Sequence, residues 1–272
     1  MNRSLAAVVL AALACAGRAE GLPPVTGVIW QLYETAPDAR GSWHRLGARE
    51  LLIQWTAVDG TAFIAGTGQR QSEHMPDWGR IARAPWAASV IVGLSGRFDE
   101  QATRRSIDAM VAESLVISRQ QFPFRVSGWY FPAEVDPYWK DAPSALPPAL
   151  ARLPRPLWIS VYDGEGMGAD EFAAWIASWM PRDVGVMFQD GVGVGVRSAP
   201  VARQYADALA ARLDKARVAV IAEAFRTEAG KFRAATAAEL RAQLPHYREF
   251  PIYLFDGPHY VPDSVVEELL RQ

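Results

Sequence analysis

Short runs of hydrophobic, β-branched and aromatic residues recur along the chain. There are eight of them, at 27–32, 50–56, 89–95, 126–131, 156–162, 184–189, 218–224 and 251–255. Most of these runs are continuous rather than alternating, which is typical of strands buried on both faces of a sheet. The pattern therefore predicts eight buried β-strands.

The segments between the runs carry helical periodicity instead. Apolar residues repeat at spacings of three and four within 98–121, 169–180, 199–213, 236–244 and 263–270. The last of these opens with Asp263 and Ser264, which are predicted to cap it. Two intervals are weaker: 34–47 has little periodicity, and prolines interrupt the fourth at Pro143, Pro147, Pro148 and Pro154.

Strand and helix alternate eight times, which predicts an α/β fold with a parallel sheet and helical crossovers. Eight is also the number of strands that closes a barrel. We therefore predict a single (β/α)8 TIM barrel over 20–272, with weak or shortened first and fourth helices. An open doubly wound sheet is the alternative, but it usually has a glycine-rich turn after its first strand, where this chain has Gln31-Leu32-Tyr33-Glu34. Gly191 to Gly195 has G-x-G spacing and is interpreted as a flexible loop.

The first residues resemble a secretory signal. A short positive start at Arg3 precedes an apolar run from Leu5 to Ala14, and small residues follow it. The sequence predicts a signal over 1–19 and an exported protein, periplasmic or secreted. The only cysteine, Cys15, lies where a lipoprotein cysteine would be, so a lipoprotein signal ending before Cys15 is the alternative, with Cys15 as the single membrane tether.

Composition narrows the class of function. The net charge is −2 and no basic run occurs, so no nucleic-acid partner is expected. The four histidines are far apart in sequence, which argues against a metal site. The chain has neither the G-x-S-x-G turn of serine hydrolases nor a P-loop, and no cofactor is expected.

Barrel enzymes place their chemistry where strands end. Glu134 follows the fourth run and Glu223 ends the seventh, so their side chains are predicted to face each other across the mouth as a catalytic pair. Aromatic neighbours would raise the pKa of Glu134 and suit a general acid, and Arg226 would keep Glu223 ionised. The structural alternative is that each Glu pairs with a nearby Arg or Lys.

Seven more residues near the strand ends are predicted to contact a substrate. For Asp190 the alternative roles are a partner that supports the catalytic pair and a turn residue before glycine. For the aromatic residues the alternative is packing within the barrel. The seven are Gln31, Gln54, Trp55, Tyr130, Gln189, Asp190 and Tyr260.

Several blocks resemble a bacterial family catalogued as domain of unknown function 4434. They are G-V-I-W-Q at 27–31, L-I-Q-W-T at 52–56, G-W-Y-F-P-A-E at 128–134, Q-D-G-V-G at 189–193 and A-E-A-F at 222–225. The resemblance covers nearly the whole chain after the signal. It implies a glycoside-hydrolase-like TIM barrel, often exported, and supplies no established reaction.

A more distant likeness is to the retaining glycosidases that carry an acid/base Glu after strand four and a nucleophile after strand seven. It implies that Glu134 is the acid/base and Glu223 the nucleophile. Those enzymes usually have Asn just before the first Glu, where this chain has Ala133. We expect an exported glycoside hydrolase acting on a polysaccharide or oligosaccharide by a retaining mechanism. A non-catalytic carbohydrate-binding or scaffolding barrel in exopolysaccharide assembly is the alternative.

Overall fold

The structure is a computed structural model that describes residues 21–35 and 38–271. Eight parallel strands close into a barrel, each beside the next in the chain and the last beside the first. They are β1 Gly27–Trp30, β2 Glu50–Ile53, β3 Ser89–Gly93, β4 Val126–Val135, β5 Leu157–Val161, β6 Val184–Gln189, β7 Val218–Glu223 and β8 Ile252–Phe255. The closed barrel confirms the predicted (β/α)8 fold. Each predicted run corresponds to one barrel strand, although β4 extends beyond its run to Val135.

The strands are apolar on both faces because both faces are buried. Inward-facing residues from seven of the eight strands, among them Ile29, Leu52, Met187 and Ile221, fill the barrel, while the outer face packs against the helices. This two-sided burial explains the continuous rather than alternating runs.

A partly buried hydrogen-bond cluster lies inside the amino-terminal end of the barrel. Glu50 accepts hydrogen bonds from the hydroxyls of Ser89 (2.8 Å), Ser127 (2.5 Å) and Tyr253 (2.5 Å). Three donors from three other strands satisfy this carboxyl group at the end of the barrel opposite the mouth.

The α-helices surround the barrel. They are α1 Trp78–Ile81, α2 Glu100–Arg105, α3 Ile107–Ile117, α4 Ala142–Leu150, α5 Ala169–Trp179, α6 Ala199–Leu213, α7 Ala237–Gln243, α8 Gly257–Tyr260 and α9 Asp263–Leu270. Short 3-10 helices occur at Trp43–Leu46, Lys215–Arg217 and Leu244–Tyr247. Within the described residues, no helix is long and apolar enough to cross a membrane.

Several helices differ from the sequence predictions. Among its described residues, the first crossover contains only the four-residue 3-10 helix, in agreement with its weak periodicity. The predicted helix at 98–121 is broken at Ser106, whose hydroxyl donates to the Ala102 carbonyl. The prolines do not break up α4, because its buried Leu146, Ala149 and Leu150 pack it onto the core.

The prediction that Asp263 and Ser264 cap α9 is wrong. The residue that precedes α9 is Pro262, and Asp263 instead accepts hydrogen bonds from the backbone and hydroxyl of Ser42, both at 2.7 Å. Two small sheets, which were not predicted, lie outside the barrel. One pairs Phe225–Glu228 with Lys231–Ala234, and the other has four short strands, Ala57–Val58, Thr61–Ala62, Arg70–Gln71 and Ser95–Gly96. The predicted signal at 1–19 and Cys15 lie outside the described residues.

Candidate active site at the barrel mouth

Glu134 and Glu223 line the same cavity at the carboxyl ends of the strands. The cavity has a volume of about 280 Å³. Glu134 lies near the end of β4 and Glu223 at the end of β7, with β5 and β6 between these strands on one side of the ring. Five predicted substrate contacts also line this central cavity: Gln31, Gln54, Trp55, Tyr130 and Gln189. The barrel therefore brings together most of the residues that the sequence suggested.

Glu134 is surrounded by groups that favour its protonated form. Burial raises the pKa of its carboxyl group to about 7, and the nearby carboxylates of Glu100 and Asp136 act in the same direction. The amide of Gln54 lies 3.5 Å from Oε1, and the amide of Gln189 also forms a hydrogen bond to this carboxyl group. The raised pKa agrees with the prediction for a general acid, but its causes are burial and two acidic neighbours.

Glu223 is buried, and backbone amides bind its carboxyl group. The N–H of Val194 donates to Oε2 at 3.0 Å, and the N–H of Gly193 is a second donor. Burial nevertheless raises the pKa of Glu223 to about 7, and the nearby carboxylate of Asp190 adds to this increase. The two amides stabilise the ionised form when the proton leaves.

The predicted role of Arg226 is wrong. Its guanidinium donates to the backbone carbonyls of Glu223 (3.1 Å) and Phe225 (2.7 Å) and to the side chain of Gln243 (2.7 Å), rather than to the Glu223 carboxylate. Residues three apart on a helix would face each other, but Arg226 belongs to a short strand that turns away after β7.

Asp190 does not line the cavity. It is fully buried, and its carboxylate accepts hydrogen bonds from Gln243 Nε2 (2.5 Å), Tyr247 Oη (2.9 Å) and the backbone N–H groups of Val192 and Glu223, both at 3.2 Å. These contacts leave no room for a substrate. The structure therefore favours the alternative role of Asp190 as a residue that positions Glu223.

The loop after β6 has a defined role at the site. A β-carbon added at Gly193 would lie 2.8 Å from Cβ of Glu223, 2.9 Å from its Oε2 and 2.7 Å from the Phe225 carbonyl oxygen. Only glycine lets this backbone approach the carboxylate closely enough to donate to it. The interpretation of 191–195 as a flexible loop missed this function, because the contact joins residues far apart in sequence.

Two further cavities adjoin the central one. The first, here the β5 cavity, has a volume of about 230 Å³ and shares Glu100, Glu134, Gln189, Val194 and Glu223 with it. The second, the β8 cavity, has a volume of about 160 Å³ and shares Gln31, Phe225 and Phe255 with it. Tyr260, the remaining predicted contact, lines the β8 cavity. Together the three form a cleft across the mouth.

The arginines of the cleft already have partners within the protein. Arg97 forms a double ion pair with Glu113, at 2.9 and 3.0 Å. Arg104 lies 3.1 Å from Glu100 and 3.3 Å from Asp136. Arg197 donates to the backbone carbonyl of Asp163. The charges of Arg97 and Arg104 are therefore compensated by carboxylates of the protein, whereas the hydrogen bonds of Arg197 are to backbone carbonyls.

The sequence did not single out Glu100, which lines two cavities and raises the pKa of Glu134. Glu100 opens α2, and nothing in its local pattern indicates a place at the mouth. In the part of the chain that the structure describes, no group of three or more His, Cys, Asp or Glu residues is arranged to hold a metal ion.

Comparisons with family models, with curated proteins and with solved structures found no match to this chain. The likeness to domain of unknown function 4434 therefore stays a prediction from the motifs.

Proposed function

We propose that this protein is an exported glycoside hydrolase that cleaves a polysaccharide or oligosaccharide with Glu134 and Glu223. The proposal depends on one observation: a half-buried carboxyl group from β4 and a buried one from β7 line one cavity, and the pKa of each is raised to about 7. Paired carboxyl groups of this kind suit glycosidic cleavage, in which one group donates a proton and the other acts on the anomeric carbon.

Glu134 suits the acid/base role. Burial and the neighbouring carboxylates of Glu100 and Asp136 oppose its ionisation, so about half of the molecules keep this proton at pH 7. This proton would pass to the glycosidic oxygen as the bond from that oxygen to the anomeric carbon breaks. The resulting carboxylate would then accept a proton from the water that completes hydrolysis.

Glu223 suits the nucleophile role. The N–H groups of Val194 and Gly193 bind its ionised form, and Asp190 anchors its backbone. Its oxygen would form a bond to the anomeric carbon as the leaving group departs, and water would displace it in the second step. Retention of the anomeric configuration follows from these two displacements.

The test uses Glu134→Gln, Glu223→Gln and the exposed control Glu73→Gln with a panel of polysaccharides. New reducing ends are measured together with circular dichroism, and NMR of the first product gives its anomeric configuration. We expect each cleft variant to lose roughly 10²-fold or more of the activity, with the fold intact, while the control keeps it. Undiminished cleavage by both single variants would refute the assignment. A product with inverted anomeric configuration would show that Glu223 acts as a general base and not as a nucleophile.

One observation favours a second function. Ala133 stands where related glycosidases would carry Asn, so one expected substrate contact is missing. A carbohydrate-binding barrel without catalysis would bind a polysaccharide saturably and release no reducing ends. Detected cleavage that depends on Glu134 would exclude it.

A further inference from the structure

The β8 cavity contains a polar chain that the proposed reaction does not use. Nδ1 of His259 lies 2.7 Å from Oδ2 of Asp256, and Nε2 of His259 lies 2.6 Å from Oη of Tyr33. Because the carboxylate can only accept, Nδ1 carries the hydrogen, and the other ring nitrogen, Nε2, shares a hydrogen bond with the Tyr33 hydroxyl. Oxygen lone pairs of Tyr33 then remain for a donor in the cavity.

Asp256 anchors this chain below the surface. Its side chain is 2% exposed, and Oδ2 also accepts from the backbone N–H of Gln31 at 3.0 Å. Its other oxygen, Oδ1, has no hydrogen-bond partner among the described residues. A buried carboxylate oxygen without a hydrogen-bond donor is costly.

Aromatic side chains form the walls of the same cavity. Phe225 contacts Phe232 with ring centroids 4.8 Å apart and Tyr260 at 5.3 Å, and Tyr33 stacks on His259 at 5.4 Å. Phe232 is 59% exposed, on the strand Lys231–Ala234 that pairs with Phe225–Glu228 just after Glu223. A large exposed aromatic beside a polar pocket is typical of a binding surface.

The β8 cavity lies at one end of the cleft. It is lined by residues that follow β1, β7 and β8, whereas the β5 cavity is lined mainly by residues that follow β5 and β6, across the ring. Glu134 and Glu223 line both the central and the β5 cavities. A line drawn across the ring from the β8 cavity to the β5 cavity has β4 on one side and β7 on the other. A chain of sugars crossing the mouth would therefore pass between Glu134 and Glu223 and continue into the β8 cavity.

We propose that the β8 cavity is a subsite that binds an uncharged sugar ring of the substrate chain, separated from the cleaved bond by the ring in the central cavity. The ring would stack on Phe232 and donate a hydroxyl hydrogen to Tyr33. A uronic acid does not fit, because none of the described residues that line the cavity is Lys or Arg and Asp256 already places a carboxyl group there. This inference rests on the proposed function, since it assumes that the cleft binds carbohydrate.

The experiment measures binding rather than cleavage, by calorimetry with the inactive double variant Glu134→Gln/Glu223→Gln. The probes are neutral oligosaccharides of two to six rings (cello-, laminari-, malto- and chito-oligosaccharides) with oligogalacturonides as the anionic series. We expect affinity for a neutral series to increase with chain length. Adding Phe232→Ala or Tyr33→Phe should weaken binding of the longer members roughly tenfold and leave the shortest unchanged. Met75→Ala, an exposed apolar residue that does not line the cleft, is the matched control.

The outcomes separate the two proposals. Equal affinity of the longer oligosaccharides with and without Phe232→Ala and Tyr33→Phe would overturn the subsite, as would tighter binding of oligogalacturonides or failure of every neutral series to bind. Length-dependent binding that both substitutions reduce, in a protein whose wild-type form cleaves nothing, would support the subsite and refute hydrolysis.

Discussion

Replacing Glu134 by Gln should make the folded protein more stable at alkaline pH. In the folded protein, burial and two acidic neighbours raise the pKa of this carboxyl group from 4.5 to about 7, so the folded state holds the proton more tightly than the unfolded chain does. The stability that this group contributes is therefore fully present below about pH 4.5 and is lost as the pH rises through about 7. A neutral amide of the same shape removes the penalty.

The magnitude follows from the size of the shift. The interval from 4.5 to about 7, at about 1.4 kcal/mol for each pH unit, sets an upper value of ~3 kcal/mol. Glu134 lines an open cleft, where water screens part of this energy, so we expect a gain of roughly 1–3 kcal/mol in the free energy of unfolding. On the proposed function, the Glu134 carboxyl group would lower the stability of the fold in exchange for activity.

Urea unfolding of the wild type and Glu134→Gln, at pH 4.5 and about pH 9, measures this difference. The two proteins should have similar free energies of unfolding at the lower pH, and the variant should exceed the wild type at the higher pH. Glu73→Gln, an exposed carboxyl group outside the cleft, should follow the wild type at both. A Glu134→Gln protein no more stable than the wild type at about pH 9 would show that the Glu134 carboxylate is not destabilised by its surroundings, and the reasoning for a general acid would fail.

Three further predictions concern the barrel and the site. Glu50→Ala leaves three hydroxyls without their acceptor and should lower the free energy of unfolding by roughly 2–4 kcal/mol, measured by urea titration. Glu50→Gln keeps an acceptor oxygen and should lower the free energy of unfolding less. Equal losses of stability in the two variants would contradict the role of the carboxyl group. Gly193→Ala should reduce turnover roughly 10²-fold by displacing the Glu223 carboxylate, whereas Gly79→Ala, where the nearest atom is 3.5 Å from the added carbon, should not. The rate of cleavage should have a bell-shaped pH dependence centred near pH 7. The reason is that Glu134 must be protonated and Glu223 ionised, and the pKa of each group is about 7. A cleavage rate that stays constant from about pH 5 to 9 would contradict these roles.

The hydrophobic pattern alone determined the fold. Strands that are buried on both faces must be apolar at consecutive positions, so each barrel strand is visible as a local run of the chain. The ends and breaks of the helices could not be predicted as well from the sequence. The break at Ser106 depends on one side chain competing for a backbone carbonyl, and the survival of α4 depends on the core that Leu146 and Leu150 pack against.

The site was determined by the sequence only in part. Glu134 and Glu223 could be found because strand ends meet at one mouth in a parallel barrel, which is a property of the topology. The tertiary structure decided what surrounds them: Glu100 from α2 beside Glu134, Asp190 turned inward to hold Glu223, and Arg226 directed at backbone carbonyls. These contacts depend on side-chain direction and burial across elements distant in sequence, and pKa values are set by such distances rather than by neighbours along the chain.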